Sequence, residues 1–209
     1  MTLQENILTY CKRINALAEI GLTYTENPYD TDRYEELRNI SRQMMGEITG
    51  QSVELIEYFF LNEREYKTPQ VDIRAVVFDD EDRLLMVREK VDGMWSLPGG
   101  WADIGFSPSE VVVKEVKEET GLDVAPERLL AIFDKKCHPH RPPQLNYVYK
   151  IFIGCRLLGG SLKTAFDTLG ASFFRENDIP QLSEERVTMS QINLMFDYHR
   201  HPNKSAMFD

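Results

Sequence analysis

The sequence predicts an α/β fold carried behind a small all-α extension, and three observations point to it. Apolar residues recur at helical spacing through the first 66 residues. Beyond the linker Tyr66-Lys67-Thr68-Pro69 the pattern changes to short runs rich in Val, Ile, Leu and Phe, which is a strand signal. Within that second part, residues 107–121 carry both the start and the stop signals of one helix. The predicted organisation is residues 1–66 as a helical extension and residues 67–209 as the α/β domain.

In the extension, Ile7, Leu8, Ile14, Leu17 and Ala18 form an apolar stripe over a first helix from Leu3 to Ile20, which the stretch Gly21 to Pro28 should break. A second helix is expected to start near Asp30 or Thr31, to use Tyr34, Leu37, Ile40, Met44 and Met45, and to close at Thr49-Gly50. A third begins near Ser52 with Val53, Leu55, Ile56, Phe59 and Phe60. In the second part, Val71 to Phe78 and Leu84 to Arg88 read as two strands of a hairpin around Asp79-Asp80-Glu81-Asp82. Trp95 to Gly105 reads as a glycine-bearing loop. Further strands are expected at Leu129 to Phe133, Tyr147 to Leu158 and Ala171 to Phe174, and a last helix at Val187 to Tyr198.

The helix at 107–121 is the segment with chemistry. Ser107 is a good N-cap, Pro108 suits the first helical position, Glu110 completes a capping box, and Gly121 supplies a left-handed stop. At about 100° per residue, Glu115, Glu118 and Glu119 share an arc of roughly 100°, beside Val112, Val113 and Val116. Like charges at that spacing repel, and a hard divalent cation would reverse the penalty. The alternative is a solvated face in which Lys114 pairs with Glu118.

Together with Trp95-Ser-Leu-Pro-Gly-Gly100, this helix resembles the Nudix box. The matching positions are Gly100, Glu115, Val116, Glu118, Glu119, Gly121 and Leu122. Phe106 stands where that pattern has its first Glu, and Lys114 where it has Arg, as if an ion pair had been replaced by an apolar contact. Flanking segments, among them Asp72-Ile-Arg74, Arg88-Glu89, Asp134-Lys-Lys136 and His138-Pro-His140, are similar to a Nudix branch with a helical N-terminal extension. The resemblance implies an α/β/α sandwich with a mixed sheet. It also implies Mg²⁺-dependent hydrolysis, with Mn²⁺ as an alternative, of a nucleoside diphosphate linked to another group. CDP-choline, giving CMP and phosphocholine, leads that reading. ADP-ribose, giving AMP and ribose 5-phosphate, stands close behind.

On the same resemblance, Glu115, Glu118 and Glu119 hold metal, with Glu119 the first choice as essential ligand, Glu115 and Glu118 sharing ligand and base roles, and the backbone carbonyl of Gly99 as a further ligand. Asp167 is a weaker catalytic candidate, a turn-capping role being its alternative. Arg74 is a candidate phosphate contact, or else a partner of Asp72 or Glu89. His138 and His140 are candidates for a phosphate or sugar contact, or belong to a polar loop. Lys150 and Tyr149 alternate on a strand, so at most one of them points into a pocket. Trp95 and Trp101 bracket the glycines and either stack on a base or pack.

A net charge of -10 argues against a broad grip on duplex nucleic acid, while an RNA end remains a minor alternative substrate. A regulator on the same scaffold that binds nucleotide without turnover is the competing class, prompted by Phe106 and Lys114. The three cysteines are scattered and lack metal-ligand spacing, and no apolar run reaches membrane-spanning length, so a cytoplasmic enzyme without membrane contact is expected. The apolar stripes of the extension need a partner surface. Either they pack on their own domain or, as favoured here, they form a homodimer.

Overall fold

A computed structural model of the chain describes residues 2–60, 68–103, 105–142, 145–166 and 168–209. The chain divides into two compact units, Met1–Pro69 and Gln70–Asp209. The first holds α1 (Leu3–Tyr24), α2 (Pro28–Thr49) and α3 (Val53–Phe60). Thr2 and Glu5 form a capping box for α1, Asn27 caps α2 with Pro28 directly after it, and Gly50 ends α2 in the left-handed region at φ 69.

Contrary to the sequence expectation, α1 runs through Gly21. The reason lies in packing: a Cβ at Gly21 would sit 2.5 Å from Cζ of Tyr34 on α2. The glycine makes a socket for that ring, and the tertiary contact outweighs the cost of about 1 kcal/mol for glycine in a helix. Between the same two helices, buried Arg42 donates to Asn15 Oδ1 at 3.1 Å and to Glu19 Oε1 at 2.7 Å. Leu17, placed by spacing in the apolar stripe, is exposed.

The second unit is built on one mixed sheet in the order β3-β2-β1-β6-β5-β8, with β4 paired to β1 and β7 to β2. The strands are β1 (Gln70–Phe78), β2 (Leu84–Glu89), β3 (Trp95–Ser96), β4 (Gly99–Trp101), β5 (Leu122–Asp134), β6 (Val148–Gly160), β7 (Thr168–Phe174) and β8 (Met207–Phe208). The predicted hairpin joins antiparallel at Phe78 opposite Leu84. Away from the turn, β1 runs parallel to β6 and antiparallel to β4, while β2 pairs with β7 and β3. The expected 95–105 loop therefore contains β3 and β4. The strand expected at Leu129 to Phe133 is the end of the longer β5, whose register with β6 shifts three times and so hides its alternation.

Alternation along β1 builds two cores. Ile73, Ala75 and Val77 join Val111, Val112 and Val116 of α4 (Pro108–Thr120). Val76 joins Ile192, Met195 and Phe196 of α5 (Met189–Arg200) on the other face. A helix thus covers each face of the sheet, and the α/β/α sandwich is present. No helix among the described residues is long and apolar enough to cross a membrane.

Candidate active site

Helix α4 is held at both ends as its sequence requires. Ser107 Oγ accepts from Glu110 N, Glu110 Oε2 accepts from Ser107 N at 2.8 Å, and Gly121 takes φ 79. Burial of Val111, Val112 and Val116 against the sheet turns Glu115 and Glu119 toward the β1–β4 edge. There Glu119, 5% exposed, accepts a hydrogen bond from Gly99 N at 2.8 Å. Glu115 lies against Gly100, where a Cβ would stand 3.1 Å from its Oε1. Gly99 has φ 138, and a Cβ on it would lie 2.0 Å from the carbonyl oxygen of Ile73. Only glycine lets the backbone pass between β1 and the carboxylates of α4.

These groups open into a cleft of about 530 Å³ that also contains Asp72, Arg74, Glu89, Lys135 and Arg186. Arg74 donates from Nε to Asp72 Oδ1 at 2.9 Å and from a terminal nitrogen to the carbonyl of Leu97 at 2.9 Å. Lys150 is fully buried, and its ammonium is bonded to the other oxygen of Asp72. Burial alone would raise Asp72, but Arg74 and Lys150 together hold its carboxyl below the ordinary carboxylate value. Burial pushes Lys150 down to about 8 against the pull of Asp72. Burial also drives Glu119 up to about 8, with Arg74 and the Gly99 N–H opposing and Glu115 and Glu89 adding to the rise. Lys135 is lowered to about 8 by burial, opposed by Glu185 and Asp72.

The residues singled out from sequence separate into three groups. Glu115, Glu119, Gly99 and Arg74 line the cleft, whereas Glu118 is exposed on α4 and is not among the lining residues. Lys150 lies beneath the site as the buried partner of Asp72, with Tyr149 facing outward, which matches the expected alternation. The histidines are engaged elsewhere. His140 is buried, with Nδ1 2.9 Å from the carbonyl of Glu184 and Nε2 3.2 Å from Gln191 Nε2, and burial lowers its pKa to about 3. The His138 ring packs at a tilt against Phe133, with centroids 4.3 Å apart, and contacts Asp209 Oδ1 at 3.2 Å. Asp167 lies outside the described residues.

The two departures from the box have a physical explanation. Lys114 keeps an ion pair, at 2.8 Å, but with Asp103, and its ammonium lies 5.5 Å over the Phe106 ring. The carboxylate has moved three positions along the loop, so the pair expected to be lost is relocated. Trp101 lines the cleft, while Trp95 packs edge-on to Phe174 at 4.7 Å.

Sequence reasoning missed Glu89, Lys135, Glu185 and Arg186, which the fold brings into the cleft. Glu89 accepts from Ser96 Oγ at 2.5 Å and pairs with Arg186 at 3.0 Å. Glu89 and Lys135 belong to segments that carried the resemblance. The 185–186 pair had no local signal. It is delivered by backbone bonds between Trp95 and residues Gln181 and Ser183.

Among the described residues, no three His, Cys, Asp or Glu side chains form a ready metal-ligand set. What fits is a cation that brings ligands with it. Mg²⁺ commonly binds one or two carboxylates plus substrate phosphates, and here a buried carboxyl raised to about 8 stands beside a second one.

Comparison with known proteins agrees with this architecture. Residues 68–193 match the NUDIX domain, and residues 5–60 match a UDP-X-like, N-terminal oligomerisation domain. The chain is 46% identical over 206 residues to YjhB of Bacillus subtilis (strain 168), spanning 99% of this chain and 98% of that one; its name carries ADP-ribose pyrophosphatase activity as provisional. A crystal structure of an ADP-ribose pyrophosphatase from Streptococcus suis 89-1591 is 43% identical with a TM-score of 0.61, covering 68% of this chain and all of that one. A crystal structure of a UDP-X diphosphatase is 32% identical with a TM-score of 0.63, covering 99% of both chains.

Proposed function

Because the chain belongs to the Nudix hydrolase family, we propose that its cleft hydrolyses the diphosphate of ADP-ribose, giving AMP and ribose 5-phosphate. The observation that carries this reading is the placement of Glu115 and Glu119 against Gly99-Gly100 in the same cleft as Arg74, Lys135 and Arg186. A diphosphate needs both a cation-binding edge and fixed positive charge. Magnesium or manganese, when bound, neutralises the diphosphate and acidifies water for attack on phosphorus.

The chain's own part is orientation and charge. Gly99 N–H fixes the Glu119 carboxyl, and its proton must leave for a cation to bind. Arg74 is locked by Asp72 and the Leu97 carbonyl. Arg186, held by Glu89, supplies a planar guanidinium suited to phosphate oxygens. The reaction breaks one phosphorus–oxygen bond of the diphosphate, with water adding across it.

The names of the 46% and 43% identical relatives support ADP-ribose ahead of CDP-choline, which rests on sequence resemblance alone. A uridine diphosphate-linked compound is the second reading, favoured by the UDP-X-like extension and the full-length structural neighbour. Retention of both cleft carboxylates supports turnover over a purely regulatory role. The extension supports a homodimer: Leu3, Tyr10, Leu17 and Tyr24 are exposed and recur every seven residues along α1. Cys11, Cys137 and Cys155 are free thiols, which supports a reducing, cytoplasmic setting.

The test is hydrolysis of ADP-ribose, UDP-sugars, CDP-choline and a short RNA with Mg²⁺ or Mn²⁺, alongside Glu119→Gln. Release of AMP from ADP-ribose at the highest kcat/KM, reduced at least about 100-fold in the variant, is the expected result. Turnover equal in the variant would remove the site.

A further inference from the structure

The buried ring of His140 lies outside the cleft, and its neighbours fix where its proton sits. Gln191 is the third residue of α5, and its Oε1 accepts from Thr188 N at 3.1 Å in the capping box of that helix. A backbone N–H needs an oxygen there, so the other end of the Gln191 amide is its NH₂ group, a donor. That group lies 3.2 Å from His140 Nε2, which must therefore accept. The proton of the neutral ring is then on Nδ1, 2.9 Å from the carbonyl oxygen of Glu184. The same carbonyl accepts from Arg141 N at 3.3 Å. Burial, aided by the charge of Lys150, holds His140 at about 3, so the ring stays neutral and this pattern persists near neutral pH.

Glu184 belongs to the turn that delivers Arg186. The N–H groups of Arg186 and Val187 donate to the Ser183 carbonyl at 2.8 and 2.9 Å. Ser183 itself is anchored by its N–H to the Trp95 carbonyl at 2.8 Å and by its hydroxyl to Asp92 Oδ2 at 2.7 Å. We propose that His140, oriented by Gln191, is a positioning residue for Arg186, holding the middle of this turn so that the guanidinium stands ready for the diphosphate. This rests on the reading of the cleft as a nucleoside diphosphate site. The bond to the Glu184 carbonyl fixes the peptide plane between Glu184 and Glu185, one residue before Arg186. Arg186 Nε lies 3.0 Å from Glu89 Oε1, so the turn and Glu89 together fix where its terminal nitrogens stand. The His138-Pro-His140 segment thus serves the substrate at one remove, through backbone rather than by contact.

Binding of the non-cleavable α,β-methylene analogue of ADP with Mg²⁺ would be measured on the full-length protein by calorimetry, with ADP-ribose turnover on the same samples. His140→Phe keeps a ring but removes both bonds. It should raise Kd for the analogue and KM for ADP-ribose about tenfold while kcat changes less than about threefold, the pattern of lost uniform binding. His140→Asn returns a donor close to the Nδ1 position and should restore affinity to within about threefold of wild type. Gln191→Leu spares the ring but removes the donor that orients it; it should weaken binding about threefold, and it stands in where His140→Phe does not fold. The deciding measurement is a double-mutant cycle with Arg186→Gln. With the guanidinium gone, His140→Phe or Gln191→Leu should change Kd less than about twofold. Nitrogen NMR of the wild-type imidazole should show a neutral ring protonated at Nδ1.

An effect of His140→Phe or Gln191→Leu that persists undiminished beside Arg186→Gln makes the histidine a packing residue and overturns the proposal. Unchanged analogue affinity in both variants, or a ring protonated at Nε2, overturns it as well and leaves the proposed activity standing. The expected cycle in a protein that turns over no panel member supports the positioning role and overturns the activity.

Discussion

Glu119, a residue only 5% exposed, is pushed up to about 8 by burial when no cation is present, and the consequence for stability has a definite sign. Between the ordinary carboxylate value and about 8 the folded protein holds a proton that the unfolded chain has lost, so stability falls as pH rises through that window. In EDTA, wild type should lose roughly 3 kcal/mol relative to Glu119→Gln between pH 5 and pH 9, read from urea unfolding. A constant difference across that range would show that the carboxyl is not desolvated in solution. Lys150 makes a contrasting case. Its ammonium serves Asp72 beneath the cleft, so Lys150→Met should destabilise by about 1–3 kcal/mol through a buried carboxylate left with Arg74 alone. Adding Asp72→Asn should recover part of that loss in a double-mutant cycle. The sequence marked Glu119 and Lys150 alike as polar residues of interest. Only burial and partners separate a cleft ligand from a structural counter-ion, and neither is visible in residue order.

At the scale of elements, α4 was almost wholly legible, because caps and a valine stripe are local signals. The glycine segment before it was legible as glycines but not as strands, since β3 and β4 are defined by their partners. Gly99 and Gly170 give a test of this distinction. Both have positive φ, but a Cβ at Gly99 meets the Ile73 carbonyl at 2.0 Å whereas one at Gly170 meets nothing within 4 Å. Gly99→Ala should cost more than about 3 kcal/mol and Gly170→Ala about 1–3 kcal/mol, by denaturant unfolding of each variant. Equal costs would show that the close backbone approach is not real. The Lys114–Asp103 pair gives another. Since Asp103 already supplies the carboxylate, Phe106→Glu should change kcat/KM by less than about threefold. A gain of about tenfold or more would mean that the relocated pair does not do the work of the expected one.

For the whole molecule, the exposed seven-residue stripe of α1 carries the prediction. Leu17→Glu and Tyr10→Glu should convert a dimer to a monomer in analytical ultracentrifugation while leaving far-UV helicity unchanged. A wild-type monomer at micromolar concentration would end the dimer reading. Leu17 was expected on the apolar stripe of the first helix, with the surface that covers the stripe left open. Spacing identifies an apolar position but not which of two possible surfaces covers it. By itself the sequence determined the helical extension, the switch to an α/β domain, the capped helix α4 and the carboxylates on it. Each of these rests on contacts between residues close in the chain. The tertiary structure alone decided which carboxylates reach the cleft, and that Glu89, Lys135 and Arg186 meet them there. It also placed His138 and His140 in structural contacts and turned Gly21 into a socket for Tyr34. Those outcomes depend on strand order and long-range packing, which fix the distance between residues far apart in sequence and leave no local signature.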